Sequence, residues 1–483
     1  MGVLLLVHAF FSAALPLTND EAYYWDWGRV LQYSYLDHPA GVALIARLGQ
    51  VFTSSIIGPR MLMAGLAIAW FYIAKLIAAQ VASRDLEDLE VYKLGLLCGF
   101  TPYACGVGNL LLPDGGMILG VMIAIYLAMR ELRLGNGRFI DGLLLGAASG
   151  FSSLFKYHGA FLCGSLLVAL LVLQFRKNRF HFGFLSGVIV GGVLLVSPIL
   201  LWNIQQDWAS LSFQGSHGFS AMRFNLVFGL RILFGQFLLM SPLVVVLVYR
   251  LLKWHTKSDL HRLVLCTSLP LWILITGVAF FKASLPHWAL PAMVPLIPLV
   301  ALIPWPSWSH LNFKLMMIPL FLASLLLGLP YTRSYLVNQM MDERAGFLAE
   351  LTLWEPLAAE VSKLIEDATE DGLKIDVIAS TRWFWTAQLA YHLQNQPRVY
   401  CLDNHRSSYY WFRDDLSTLQ SKVVLIVGDA DHKRAGLDAL MDVKRSGYIE
   451  VPGHKDQKVS YMIAVVTGTA AEWTRFAPSG HHY

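Results

Sequence analysis

The stretch Thr18-Asn19-Asp20-Glu21-Ala22-Tyr23-Tyr24-Trp25-Asp26-Trp27, running on to Asp37-His38-Pro39, decides how the chain is read. It follows directly on an apolar segment, Met1 to Pro16. Two adjacent carboxylates, Asp20 and Glu21, therefore stand beside Tyr23, Tyr24 and Trp25 where an apolar helix leaves a bilayer. Tyr and Trp favour the headgroup level because their rings are amphipathic. Carboxylates so near hydrocarbon are costly unless they have a partner or a task. Taken alone, the stretch reads equally well as a solvated interfacial loop.

The rest of the chain supplies the context. Of its 483 residues 56% are hydrophobic and only 14% charged, and the mean hydropathy is +0.51. A soluble protein of this size is less apolar and more charged. The apolar residues fall in runs long enough to cross a bilayer, so the chain reads as a polytopic α-helical membrane protein. No basic stripe suited to nucleic acid occurs. The five cysteines are scattered without a CxxC pair, which predicts neither a zinc site nor an obligatory disulfide. Met1 to Pro16 has no basic leader and no small-residue cleavage site, so it reads as a retained first helix. It is short for a span: either the span begins upstream or the helix is tilted.

After the opening stretch, residues 39–52 read as an amphipathic helix lying in the interface. Spans are expected at about 59–82, 92–111, 115–132, 139–155, 158–175, 180–201, 225–252, 261–281, 288–304 and 313–330. With the first helix that makes about 11 transmembrane helices. Pro102 is a candidate break in the third, and Arg231 a candidate divider of the interval 225–252. One set of loops carries Arg130/Arg133/Arg138, Arg176/Lys177/Arg179, Arg250/Lys253/Lys257/Arg262 and Lys314. Placing that set in the cytoplasm puts the amino terminus inside. The acidic loop 83–93 runs against this pattern, but acidic residues count little in the rule. Beyond residue 330 charges become frequent. Short apolar runs at 374–380, 397–402 and 422–428 alternate with amphipathic helices at 355–370 and 382–393. Residues 1–330 are thus expected to form the membrane domain and 331–483 a soluble C-terminal α/β domain on the outer side.

The unusual polar motifs all fall on that outer side: Asp20-Glu21, Asp37-His38-Pro39, Asn109 with Pro113-Asp114, Lys156-Tyr157-His158, Trp202-Asn203 with Asp207-Trp208, and Lys282 with Pro286-His287-Trp288. A partly buried carboxylate has a raised pKa and can serve as a general base. Asp114 also suits an N-terminal helix cap. Lys156 and Lys282 either snorkel to the headgroups or neutralise a phosphate at the membrane surface. His38 and His287 are candidates for a phosphate or a sugar hydroxyl, or are structural. Trp25 and Trp288 are belt residues or stack on a sugar. Tyr157, His158 and Asn203 complete the polar set facing a substrate.

The order of these motifs resembles a known family. An apolar helix, DEAYYW, DHP and an amphipathic helix are followed by LLPD at 111–114, FKYHG at 155–159, SPILLWN at 197–203 and KASLPHW at 282–288. TAQLAYHL at 386–393, QPRVYCL at 396–402 and RSSYYWF at 406–412 continue the match, with Ser408 where Gln is usual. The pattern is similar to the bacterial branch of the protein O-mannosyltransferases, GT-C membrane glycosyltransferases that include the lipid A aminoarabinose transferases. The resemblance implies a GT-C-like fold and a polyprenyl-phosphate sugar donor, with inversion at the anomeric carbon and no nucleotide cofactor. The acceptor it implies is a lipid, glycan or protein at the outer face of the bacterial inner membrane. It implies Asp20 as the base or acceptor-orienting group, with Glu21 and Asp114 beside it, and Lys156 as the donor-phosphate ligand, helped by Lys282 or His287. Tyr23, Tyr24, Trp25, His38, Tyr157, His158, Asn203 and Trp288 are the expected substrate contacts. A divalent cation bridging Asp20, Asp114 and the phosphate stays open, since these are hard ligands. A flippase of lipid-linked glycans would place its charges near the midplane in repeated halves. A non-catalytic glycan-assembly protein would not require the Asp20, Asp114 and Lys156 set.

Overall fold

The computed structural model describes residues 12–13, 15–99, 101–219, 222–240, 242–253, 258–305, 352–402, 407–409, 416–429, 441–452 and 459–468. Most of the expected first helix and all of the span expected at 313–330 lie outside them. In chain order the helices are α1 (Asn19–Trp27), α2 (Gly41–Gln50), α3 (Ile57–Ala82), α4 (Asp88–Gly99), α5 (Pro102–Asn109), α6 (Pro113–Leu134), α7 (Phe139–Phe155), α8 (Tyr157–Arg176), α9 (Phe182–Gln205), α10 (Ala209–Phe219), α11 (Leu226–Met240), α12 (Pro242–Lys253) and α13 (Asp259–Val278). A run of 3-10 turns from Pro286 leads into α14 (Ile297–Leu302), and α15 (Trp354–Glu370) and α16 (Trp383–His392) follow. The strands are β1 (Val377–Ser380), β2 (Val399–Cys401), β3 (Val423–Asp429), β4 (Met441–Ile449) and β5 (Val459–Val466).

Contacts divide the chain into two units: Met1–Ala13 with His38–Ser324, and Ala14–Asp37 with Leu325–Tyr483. The opening stretch therefore packs with the C-terminal part of the chain.

In the first unit, α3, α8, α9 and α13 are long and apolar enough to cross a membrane, and α5 and α6, bent by 103° at their break, have the length and apolarity of either one broken span or a re-entrant loop. Thr101 caps α5 by accepting from the Ala104 amide, with Pro102 in its first turn. Pro113 opens α6, where a missing N–H costs nothing. The expected break near Pro102 is thus present, and a second one follows it. Arg231, by contrast, lies inside α11. α6 is buried along 16 of its 22 residues, which places it at the centre of its unit. Gly116 abuts the Phe155 ring and Gly120 the Ser152 backbone, so α6 and α7 approach closely. α7 meets α9 through a second glycine set. Cβ atoms added at Gly142 and Gly146 would strike the Phe184 and Val188 carbonyls, and at Gly187 and Gly191 those of Phe139 and Leu143. Small residues every fourth position let membrane helices touch backbone to backbone.

The second unit holds a five-stranded sheet in the order β2-β1-β3-β5-β4. β1 pairs in parallel with β2 and β3; β5 pairs antiparallel with β3 and β4. α16 makes the crossover that parallel β1 and β2 require. α1 packs against α16, with Tyr23 against Trp383 and Trp25 against Tyr391 at ring separations of 4.8 and 5.0 Å.

Candidate active site

Lys156 sits on a one-residue link. It is at once the residue after α7 and the residue before α8, with extended backbone (φ −157°, ψ 139°). That conformation breaks the helical ladder between α7 and α8. Its ammonium donates to both Asp114 carboxylate oxygens at 3.1 Å. The two side chains are each only 6% exposed. Lys156 therefore does not snorkel. Asp114 accepts a further hydrogen bond from the Tyr103 hydroxyl at 3.2 Å. It is not the cap of its helix, since the N-cap position is Leu112 and carries no side-chain cap. Its place in the first turn still suits the positive end of the helix dipole.

Three histidines feel the charge of this pair. His158 and His287 lie within electrostatic reach of Lys156 and Asp114. His38 is driven down to about 3 by burial, with Lys156 adding to the effect and Asp114 opposing it. His38 is thus a neutral imidazole at physiological pH. It offers one donor and one acceptor rather than a charge.

The other candidate residues of this unit have partners of their own. Lys282 donates to the Ser216 carbonyl at 3.3 Å, near the C-terminal end of α10. Asn203 is buried and joins α9 to α10: its amide donates to the Ile199 carbonyl, and its oxygen accepts from the Leu211 amide. Asp207 and Trp208 both adopt positive φ (49° and 60°) in that connection, a strained conformation for a Trp. The Tyr157 and Ser210 hydroxyls are 2.6 Å apart. Trp288 lies half-buried in the turn Pro286–Trp288.

In the second unit the acidic pair splits its duties. Glu21 is fully buried and closes a capping box with Thr18. Its carboxylate accepts from the Thr18 amide and hydroxyl, satisfying groups at the helix start. Asp20, one residue earlier, is exposed. Tyr23, Tyr24 and Trp25 are buried in an aromatic cluster with Trp27 and residues of α16, so their rings act as packing for the helix that carries Asp20. The Tyr23 hydroxyl donates to Asp37 (3.0 Å) and accepts from the Ser408 amide (2.6 Å). The Ser408 hydroxyl donates to Asp37 at 2.9 Å and accepts from the Leu36 amide. Burial pushes the Asp37 carboxyl up, while the hydrogen bonds from Ser408 and Tyr23 pull it back. Asp26 accepts from Tyr409 at 2.8 Å and from Arg29 at 3.2 Å.

Tyr103 is the functional candidate that sequence reasoning did not single out; nothing in the sequence marks it as a partner of Asp114. Asp37 was marked by its place in the DHP motif and Ser408 by its place in the RSSYYWF motif, but their link to one another was not, because they lie 371 residues apart. Among the described residues no group of three or more His, Cys, Asp and Glu side chains is placed to hold a metal ion.

Comparison with known proteins adds the following. The family described as dolichyl-phosphate-mannose-protein mannosyltransferase matches residues 37–202. The lipid A galacturonosyltransferase RgtD of Rhizobium johnstonii is 24% identical over 322 residues, which is 61% of this chain and 63% of RgtD. The match thus spans less than two thirds of that relative's length. The crystal structure of ArnT from Cupriavidus metallidurans in the apo state superposes with a TM-score of 0.59 at 13% identity, covering 99% of this chain and 97% of ArnT. The form bound to undecaprenyl phosphate gives 0.61 at 14% identity, covering 95% and 96%. The fold is that of ArnT.

Proposed function

We propose that this chain is a bacterial GT-C membrane glycosyltransferase and that it moves a sugar from a polyprenyl-phosphate donor to a lipid A, glycan or protein acceptor. The observation that carries this reading is the buried Asp114–Lys156 pair, with His38, His158 and His287 within its electrostatic reach. An ammonium held out of water by a carboxylate is preorganised to meet a phosphate, and the low local dielectric strengthens every charge-assisted bond it makes. Neutral His38 supplies a hydrogen bond without competing for the anion. The likeness to a lipid A transferase, and to a structure that holds undecaprenyl phosphate, supports the choice of donor and acceptor class.

The steps balance without a nucleotide. The acceptor hydroxyl attacks the anomeric carbon opposite the phosphate. The bond from that carbon to the phosphate oxygen breaks, and the configuration inverts. The acceptor's proton goes to Asp20, and the leaving group departs as polyprenyl phosphate, already a stable anion. Asp114 positions Lys156, and Lys156 carries the phosphate. Glu21 fixes the turn that presents Asp20. In this reading eleven helices span the bacterial inner membrane with the amino terminus inside, and the site and the α/β unit face the periplasm.

The test uses purified protein with a polyprenyl-phosphate sugar labelled in the sugar. Release of polyprenyl phosphate with transfer of label is the expected result. Lys156→Met should weaken donor binding by about 2–3 kcal/mol, the scale of a charge-assisted hydrogen bond. Lys156→Arg should recover part of it, because its planar fork presents donors differently. Movement of intact donor across the bilayer without cleavage would replace this reading with that of a flippase.

A further inference from the structure

We propose that the groove between α8 and α13 binds an anionic phospholipid, its phosphate on Arg176 and Arg262 and an acyl chain along the groove floor. The site lies at the opposite membrane face from Lys156 and rests on none of the catalytic assignments.

The two helices pack side by side, and a cavity of about 670 Å³ runs between them. Gly164, Val168 and Val172 line it from α8, and Cys266 and Pro270 from α13. These positions recur every four residues, so each set forms one face of its helix. Val168 is 63% exposed, which shows that the apolar face opens outward. A side chain added at Gly164 would meet nothing within 4 Å, so the glycine leaves the groove open where a larger residue would fill it.

One end of the groove is different in kind. Arg176, at the last turn of α8, and Arg262, at the first turn of α13, line it together. Lys177 and Asp259 adjoin them; the Asp259 carboxylate accepts from Lys177 at 2.7 Å and from Arg262 at 3.2 Å. Among the described residues three cations and one carboxylate thus gather at this end, and the surplus is positive. A helix of this length spans about 30 Å, so Arg176 stands a full hydrocarbon thickness from Lys156. From Phe161 to Arg176 the groove wall runs about 22 Å, more than the roughly 15 Å depth of one leaflet. An apolar trough ending in paired guanidiniums at the membrane surface is complementary to a lipid with a phosphate and no cation of its own. Zwitterionic lipids bring the same chains, but their ammonium group opposes the surplus charge. Basic pockets between membrane helices hold anionic headgroups for this reason.

Native mass spectrometry of the full chain in detergent, with phosphatidylglycerol, phosphatidylcholine or polyprenyl phosphate added, tests the site. The wild type should retain one phosphatidylglycerol in preference to phosphatidylcholine. Arg176→Gln with Arg262→Gln should lower that retention by about 25-fold, roughly fivefold for each guanidinium at a membrane surface. Gly164→Phe, which fills the trough, should lower retention with both arginines intact. A measurement on the wild type guards against variants that fail to fold: phosphatidylglycerol should slow thiol labelling of exposed Cys266 more than phosphatidylcholine does. Equal retention of the two lipids, equal protection of Cys266, or displacement of phosphatidylglycerol by polyprenyl phosphate would each overturn the proposal.

Discussion

An ammonium and a carboxylate that share a nearly dry site depend on one another. Removing either one leaves the other buried without its counter-charge, at a cost of about 3–5 kcal/mol. Lys156→Met and Asp114→Asn should each lower the thermal midpoint of the detergent-solubilised protein. The double variant should regain much of that stability while remaining inactive. Equal instability in all three would show that packing, not charge pairing, is what the two residues supply. Asp20 makes the opposite forecast. It is exposed and Glu21 does the capping, so Asp20→Asn should leave the protein folded and cut turnover by about 10²-fold or more if it takes a proton in the transition state. His392 gives a pH signature. Burial holds its imidazole down at about 4. A lowered value means that its stabilising contribution is complete above its ordinary pKa near 6.5 and is lost as pH falls from there toward 4. Melting curves across that range should show a decline that His392→Gln reduces. At this scale the sequence marked Asp114 and Lys156 as charges out of place. It did not mark them as partners, because nothing in a linear chain links positions 42 residues apart.

Secondary elements were easier to read where apolar length alone defines them. The expected span 139–155 coincides with α7, and 158–175 with α8 to within a residue at each end. The way these helices pack was not anticipated. Gly142, Gly146, Gly187 and Gly191 look individually like ordinary membrane glycines; their meaning lies in a four-residue spacing on two facing helices. Gly146→Leu would drive a side chain into the Val188 carbonyl. It should destabilise by at least the 1–3 kcal/mol typical of overpacking, read as a lower melting temperature, whereas Gly164→Leu on the open face of α8 should not. In the sheet, the buried runs of β1, β2 and β3 were visible as short apolar segments. β4 was not: its residues between Met441 and Ile449 are mostly polar and exposed, and its pairing with β5 contains a register shift near Val443. An edge strand with a solvated face has no hydrophobic signature to find.

For the whole molecule, the eleven-span reading forecasts that a reporter fused after Tyr483 is active only outside the cytoplasm. Activity of a cytoplasm-specific reporter there would reject that topology. The grouping of residues 14–37 with the C-terminal part of the chain has a further consequence, one of time. Tyr409 donates to Asp26 across 383 residues. At about 5–20 residues per second, the ribosome delivers that partner some 20–80 s after Asp26 has emerged. Throughout that interval Tyr23, Tyr24, Trp25 and Trp27 have no α16 to cover them. In the proposed topology their aromatic faces wait at the bilayer surface while the membrane helices between are inserted. The amphipathic rings that first suggested a membrane border are suited to that wait, since the headgroup layer shelters them until the chain's last third arrives.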